Sequence, residues 1–258
     1  MFRLPAAALI AAFVATPAAA IIIRHDVADA AYLGRESDFP AVFGLYRTRA
    51  GKLNCGATVI SPRWAVTAAH CTEAKRLLEA VRPGGPGYEV SVAGRAVLID
   101  RVVVHPDPAS DLALLRFSVP VEHVAPVPLH RGTDELGRTV VMPGWGVFGN
   151  GKTGVGEHDG VFRVAENVVD RAEGGRLYWR FDGPGEKSAA LRLEGISGPG
   201  DSGGPALVAT PGGWAIAGVS SSQDTRGGPE GLYGVVESFV RVSAFAAWID
   251  RETTASGS

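Results

Sequence analysis

The stretch "GPGDSGGPAL", Gly198–Leu207, holds Ser202 in a turn with four glycines. Glycine reaches backbone conformations closed to other residues, so such a turn can aim consecutive N–H groups at one point. A developing oxyanion needs that arrangement, and the N–H groups of Gly200 and Ser202 are placed to supply it. Upstream, "AVTAAHC" presents His70 beside Cys71, and "ASDLALLRF" presents Asp111 just ahead of an apolar run. A serine hydroxyl is a poor nucleophile until an imidazole takes its proton. A buried carboxylate fixes the tautomer of that imidazole and stabilises its charged form. Taken singly, each residue has an ordinary reading: a glycine-rich turn, a structural histidine, a turn-forming aspartate. Together they are the set required for acyl transfer.

Chain order separates the hydrolase classes. "GDSGG" also satisfies G-x-S-x-G, the nucleophile elbow of lipases and esterases, in which the histidine follows the serine. Here His25, His70, His105, His123, His130 and His158 all precede Ser202, which excludes an elbow enzyme with its base in place. An Asp–His–Ser order leaves only Asp26, Asp29 and Asp38, none in a comparable apolar setting. A further motif, "GVFGNGKT" at Gly146–Thr153, fits the phosphate-cradling pattern G-x-x-x-x-G-K-[ST]. That pattern works between a strand and a helix. Here "PGWG" precedes it, "GVGEHDG" follows it, and no helical period begins until well past Gly160, so we read a mobile surface loop and no nucleotide site.

The elements that must position these groups are strands. The 258 residues are 46% apolar, enough for a sizeable core, and a net charge of −2 leaves no footprint for nucleic acid. The 34 glycines and 17 prolines are spread along the chain, as in a fold of many short strands joined by turns. One series of apolar or alternating runs comprises "AVFGLYRT" from Ala41, "GATVI" from Gly56, "WAVT" from Trp64, "YEVSVA" from Tyr88, "RAVLIDRVVV" from Arg95 and "LALLRF" from Leu112. A second comprises "RTVVM" from Arg138, "VFRVAENVVD" from Val161, "RLYWRF" from Arg176, "PALVA" from Pro205, "WAIAGV" from Trp214 and "LYGVV" from Leu232. A proline-rich segment near residues 120 to 137 divides the two series, which points to an all-β chain with two barrels. "TEAKRLLEA" and the terminal "SAFAAWIDR" read as helical, the second with Ser243 as N-cap.

Residues 1–20, "MFRLPAAALIAAFVATPAAA", combine a basic start at Arg3, an apolar stretch and a small-residue end that suits signal peptidase. We read an export signal, with an uncleaved membrane anchor as the competing interpretation. The destination is the exterior or the periplasm. The two cysteines, Cys55 and Cys71, lie beyond that segment, where oxidising conditions favour a disulfide over a metal pair or a catalytic thiol.

"CGATVISPRWAVTAAHC", "SDLALLRF", "PGWG" and "GDSGGP" occur in the order and rough spacing of the chymotrypsin-like (trypsin-like) serine proteases, and the resemblance covers nearly all the chain after residue 20. It resembles an exported, bacterial-type member. The resemblance implies two perpendicular Greek-key barrels within residues 21–258, at about 35–125 and about 136–240, with a C-terminal helix at about 243–251. It also implies a catalytic set of His70, Asp111 and Ser202 in the cleft, an oxyanion hole from Gly200 and Ser202, and a Cys55–Cys71 bridge that pins the histidine loop. The substrate is a peptide or protein; no metal, cofactor, nucleotide or nucleic acid is implied, and a monomer is expected. A binding protein of the same fold that lacks catalysis is the alternative.

In the specificity pocket the resemblance places Ile196 at the floor, followed by Ser197, where an aspartate would select Arg or Lys. Ser221 is expected to support Asp111, and Gln223 to narrow the slot, which suits small or medium apolar side chains. Glu237 stands against that expectation, because a carboxylate on the third wall could reach a basic side chain. Asp201, next to the nucleophile, would pair with a new N-terminal amine, and cleavage after Ala20 would free Ile21 for that role. Arg24 and His25 are the nearest other partners in sequence.

Overall fold

Alternation sets the faces of the strands. In Tyr88–Val92 and Arg163–Val168 every second side chain is buried, as the period-two geometry of a half-buried strand requires. Wholly buried strands such as Trp64–Thr67 are instead apolar or paired throughout. The computed structural model describes residues 21–47, 51–186 and 190–254, so the expected leader, residues 1–20, lies outside the described residues.

Two large curled sheets carry the fold. The first has the spatial order Val42–Arg47, Leu53–Ser61, Trp64–Thr67, Ala113–Phe117, Arg95–Val104, Tyr88–Val92. The second runs Arg163–Val168, Thr139–Gly144, Pro205–Thr210, Gly213–Asp224, Val236–Arg241, Arg176–Arg180, with the short strand Arg171–Glu173 at its end. Numbered along the chain, six strands of the first sheet stand in the order 1-2-3-6-5-4. Six of the second stand in the order 2-1-4-5-6-3. These are one cyclic order cut at different places, so the two halves repeat one Greek-key plan. The first opens between Val42–Arg47 and Tyr88–Val92; the second opens between Arg163–Val168 and Arg176–Arg180.

Two small departures from the sequence reading follow from local chemistry. The last strand is Val236–Arg241 and not "LYGVV", because Gly231 and Gly234 hold positive φ angles of 77° and 91° in the turn before it. The C-terminal helix begins at Val242, directly out of that strand, which places Ser243 inside the helix. Its Oγ donates to Glu135 Oε1 at 2.7 Å instead of capping, and Arg241 donates to the same carboxylate at 2.6 and 3.0 Å. A buried acid thereby anchors the helix start to the second sheet.

Residues 149–155 form a hairpin and not a mobile loop. Gly149–Asn150 pairs parallel to Ile22–Ile23 and antiparallel to Gly154–Val155. No helix follows, and the Asn150 side chain takes the N–H groups of Lys152 and Thr153 at 3.0 Å each. The donors a phosphate would need at that turn are thus already used.

The first core joins Phe43, Leu45, Val59, Leu114 and Phe117 with Leu207, Ile216 and Val240 of the second sheet and Trp248 of the C-terminal helix. The second core gathers Ile21, Ile22, Trp179, Phe181 and Phe239. Cys55 and Cys71 are joined, with their Cα atoms 6.0 Å apart. Closing that sixteen-residue separation stabilises the fold by about 3 kcal/mol on the chain-entropy account.

Candidate active site

His70 opens a single 3-10 turn, His70–Thr72, at the end of the strand Trp64–Thr67, and the disulfide fixes that turn to the neighbouring strand. Asp111 follows the 3-10 turn Pro108–Ser110 in the left-handed region, at φ 50° and ψ 45°. Aspartate is among the few side chains that tolerate this conformation. Its carboxylate is there reached by three donors. The His70 backbone N–H donates to Oδ1 at 3.0 Å, the imidazole Nδ1 lies 3.0 and 3.1 Å from the two oxygens, and the Ser221 hydroxyl donates to Oδ2. The expected support of Asp111 by Ser221 is therefore a direct contact.

These contacts set the charges. Burial pushes the Asp111 pKa up, but the hydrogen bonds from His70 and Ser221 outweigh it, and the carboxyl lies below its ordinary value. The His70 pKa is raised, first by its hydrogen bond to Asp111, against a smaller opposing effect of burial. With Nδ1 committed to the carboxylate, Nε2 is the nitrogen left to exchange a proton.

Ser202 sits half-buried in the turn ahead of the strand Pro205–Thr210. Gly200 has a φ of 102° and Gly203 of 79°. A Cβ on Gly203 would lie 2.3 Å from Thr67 Oγ1 and 2.5 Å from the Gly56 carbonyl, so the turn passes that close to the first sheet only with glycine. The Gly56 N–H donates to the Ser202 carbonyl at 2.7 Å. Among the described residues no acceptor meets the N–H of Gly200 or Ser202. His70 and Ser202 line one cavity of about 460 Å³, and no hydrogen bond joins them. Such bonds commonly tighten only when substrate binds. The cluster of Cys55, His70 and Cys71, within 4.8 Å of one another, is no thiolate site, because the two sulfurs are bonded to each other.

Of the residues expected in the specificity pocket, Ser197, Gln223 and Glu237 are bonded to one another. Ile196 pairs with Ile22 and is fully buried in the second core. Ser197 donates its N–H to both Glu237 oxygens at 3.0 and 3.1 Å and its hydroxyl to Oε1, while Trp179 Nε1 donates to Oε2 at 3.0 Å. Gln223 Nε2 donates to the Ser197 carbonyl at 2.6 Å. Burial, against those hydrogen bonds, raises the Glu237 pKa to about 8.

Asp201 points inward. It accepts the N–H groups of Gly146 at 2.6 Å and Gly198 at 2.9 Å, and burial lifts its pKa to about 6. A Cβ on Gly144 would lie 2.1 Å from Asp201 Oδ1 and one on Gly146 2.6 Å from its Cγ, so both glycines of "PGWG" make room for this carboxylate. The sequence reading passed over that role, although the motif signalled it. Arg24 and His25 are engaged elsewhere: Arg24 pairs with Asp26 at 2.7 Å, and His25 Nδ1 lies 2.8 Å from the Tyr233 hydroxyl. Ile21 is fully buried, with a φ of 68° that is rare for a β-branched residue.

A family model described as Trypsin matches residues 33–249. The chain is 26% identical over 242 residues to CLIP domain-containing serine protease B14 of Anopheles gambiae, an alignment covering 77% of this chain and 64% of that protein. It is 32% identical over 182 residues to transmembrane protease serine 9 of Rattus norvegicus, covering 65% of this chain and 17% of that protein.

The Asp111 contact fixes an expected titration. Below the His70 pKa the imidazolium–carboxylate pair is complete; it is lost as pH rises through that raised value, which lies above the ordinary 6.5. Following the His70 ring protons by NMR should show Asp111→Asn moving the midpoint down by on the order of one pH unit. An unchanged midpoint would mean that Asp111 does not govern the imidazole.

Proposed function

The chain belongs to the trypsin family of serine proteases, and on that premise we propose that it is an active endopeptidase in which Ser202 attacks the scissile carbonyl carbon. His70 Nε2 takes the hydroxyl proton as the bond forms, and Asp111 holds the resulting imidazolium. The carbonyl oxygen, now negative, turns to the N–H groups of Gly200 and Ser202; loss of one such donor costs on the order of 100- to 1,000-fold in rate. His70 then returns the proton to the departing amine, leaving an ester on Ser202. Water repeats the sequence with His70 as base and regenerates the serine. The observation that carries this reading is the Asp111 carboxylate, held at once by the His70 N–H, the His70 ring and the Ser221 hydroxyl. A silent binding protein would need none of those contacts.

A fluorophosphonate should label the wild-type chain at Ser202, and Ser202→Ala and His70→Ala should each lower kcat by at least about 1,000-fold with unchanged circular dichroism. Full turnover by Ser202→Ala sinks the assignment.

Glu237 and Gln223 bear on specificity. At neutral pH, with a pKa of about 8, Glu237 is largely protonated, and its oxygens are spent on Ser197 and Trp179. Gln223 donates to the Ser197 carbonyl, which draws its side chain toward Ser197. We therefore assign a preference for small or medium apolar side chains on the acyl side. A peptide library should give that profile at pH 7, with cleavage after Arg gaining ground above pH 8 as Glu237 ionises, and losing that gain in Glu237→Gln. A dominant Arg preference at pH 7, abolished by Glu237→Gln, would overturn it.

Activation follows from Asp201. A buried carboxylate served by neutral N–H donors gains most from a cation. In our reading, export and cleavage after Ala20 give Ile21 a free amine for that role. Cleavage would also release the Ile21 nitrogen from the peptide bond that defines its φ of 68°. A chain starting Met-Ile21 should fold yet hydrolyse poorly, and trimming it to Ile21 should restore rate; equal activity of the two forms would assign Asp201 another partner.

A further inference from the structure

On the disulfide side of Ser202 the cavity of about 460 Å³ is lined by Tyr46, Asn54, His70 and two arginines, Arg47 and Arg76. None of Ser197, Ser221, Gln223 or Glu237 lines it. In acyl transfer the acyl half of the substrate stays bonded to the serine, while the amine half takes a proton from the histidine and departs. A space bounded by His70 and Ser202 but by no residue expected in the specificity pocket is open to that departing half.

Both guanidinium groups at this space have capacity to spare. Arg47 Nη1 donates to the Gly51 carbonyl at 2.9 Å, and Arg76 Nη2 reaches the Arg47 carbonyl at 3.5 Å. Each guanidinium carries five N–H donors, so most are left over. Both side chains are exposed, and among the described residues neither enters an ion pair. The neighbouring Lys75, by contrast, lies 3.7 Å from Glu79. Among the described residues no acid lines the cavity. Glu73, whose charge reaches His70, is not among its walls.

We propose that Arg47 and Arg76 form a cationic subsite that selects a carboxylate on the leaving half of the substrate, within its first few residues. The inference rests on the serine-protease reading above. A guanidinium fork matches a carboxylate in two parallel hydrogen bonds, whether the carboxylate is an Asp or Glu side chain or the free C-terminus of a short substrate. The subsite has a far limit. Beyond it runs a groove of about 790 Å³ that shares Tyr46, Arg47 and Arg76 and then passes Glu36 and Glu89. The charge preference therefore reverses with distance from the scissile bond, from acidic near it to basic farther along.

The test uses the active chain and peptides with one fixed acyl half. Asp, Ala or Lys is placed in turn at each of the first six leaving positions, all with amidated C-termini. A second set carries Ala throughout and ends, after one to three leaving residues, in either a free acid or an amide. We expect Asp to exceed Lys in kcat/KM by about three- to tenfold at one or more of the first three positions, a factor that shrinks with added salt. Lys should be favoured farther out. Preference for an internal Asp in amidated peptides identifies a side-chain ligand; preference for the free acid alone identifies the C-terminus. Either supports the subsite. The Asp-to-Lys ratio should fall to near one in Arg47→Gln/Arg76→Gln, survive in Arg47→Lys/Arg76→Lys and invert in Arg47→Glu/Arg76→Glu. Turnover that is indifferent to charge at every leaving position, or a ratio that survives the double Gln substitution, overturns the subsite alone. Absence of turnover with every peptide overturns the protease reading and this inference together.

Discussion

The backbone hydrogen bond from Gly56 N–H to the Ser202 carbonyl, 2.7 Å long, spans the gap between the two sheets, and the meeting of His70 and Ser202 in one cavity depends on that approach. It brings main chain against main chain. A Cβ on Gly56 would sit 2.8 Å from Gly204 Cα, and one on Gly203 would strike Thr67 Oγ1 and the Gly56 carbonyl. Thr67 Oγ1 itself donates to that carbonyl at 2.7 Å, so the acceptor left over by the close approach is satisfied. The strand that delivers Thr67 leads on to His70, and the turn that delivers Gly203 begins with Ser202. Two residues from different sheets are thereby placed in one cavity by backbone geometry, and side-chain flexibility has little part in it.

The three acids of the site show how donor type decides charge. Asp111 is only partly buried and is bonded by an imidazole that can become a cation, and its pKa falls. Glu237 and Asp201 are buried, with neutral donors nearest, and their pKa values rise to about 8 and about 6. Hydrogen bonds from N–H groups favour the ionised form in all three, but at Glu237 and Asp201 they do not offset the loss of water, even with the Arg163 charge acting on Asp201. That difference suits the roles assigned to them: a permanent anion beside the base, a neutral wall in the pocket, and a carboxylate that responds to an arriving amine.

The repeated strand order has a functional consequence at the seams. Where the first sheet opens, between Val42–Arg47 and Tyr88–Val92, the larger groove runs down to the catalytic cavity, with Arg47 and Arg76 at the junction. Under the proposed subsite, the open seam of the half-repeat that supplies His70 faces the leaving half of a bound chain. The open edge of the other repeat is partly covered by Gly195–Ile196, which pairs with the buried strand Ile22–Ile23.

The sequence by itself determined the class of fold and which residues are candidates for chemistry: His70, Asp111 and Ser202 in that order with glycines around the serine, and two series of short alternating runs. Those features are local, since a nucleophile, a base and a period of two are each written in a few consecutive residues. Only the tertiary structure decided what depends on meeting at a distance. It set Gly144 and Gly146 around Asp201, turned Ser243 to Glu135, made the phosphate-like turn a hairpin on Ile22–Ile23, and put Glu237 under Ser197 and not in open space. Two-residue strands such as Gly195–Ile196 carry too few residues to show a period, and they exist because a partner strand arrives beside them. The positions of Arg47 and Arg76 are of the same kind. They lie far apart in the chain, on a strand and on a short helix, and share a cavity only because the barrel folds the helix back over the strand's end.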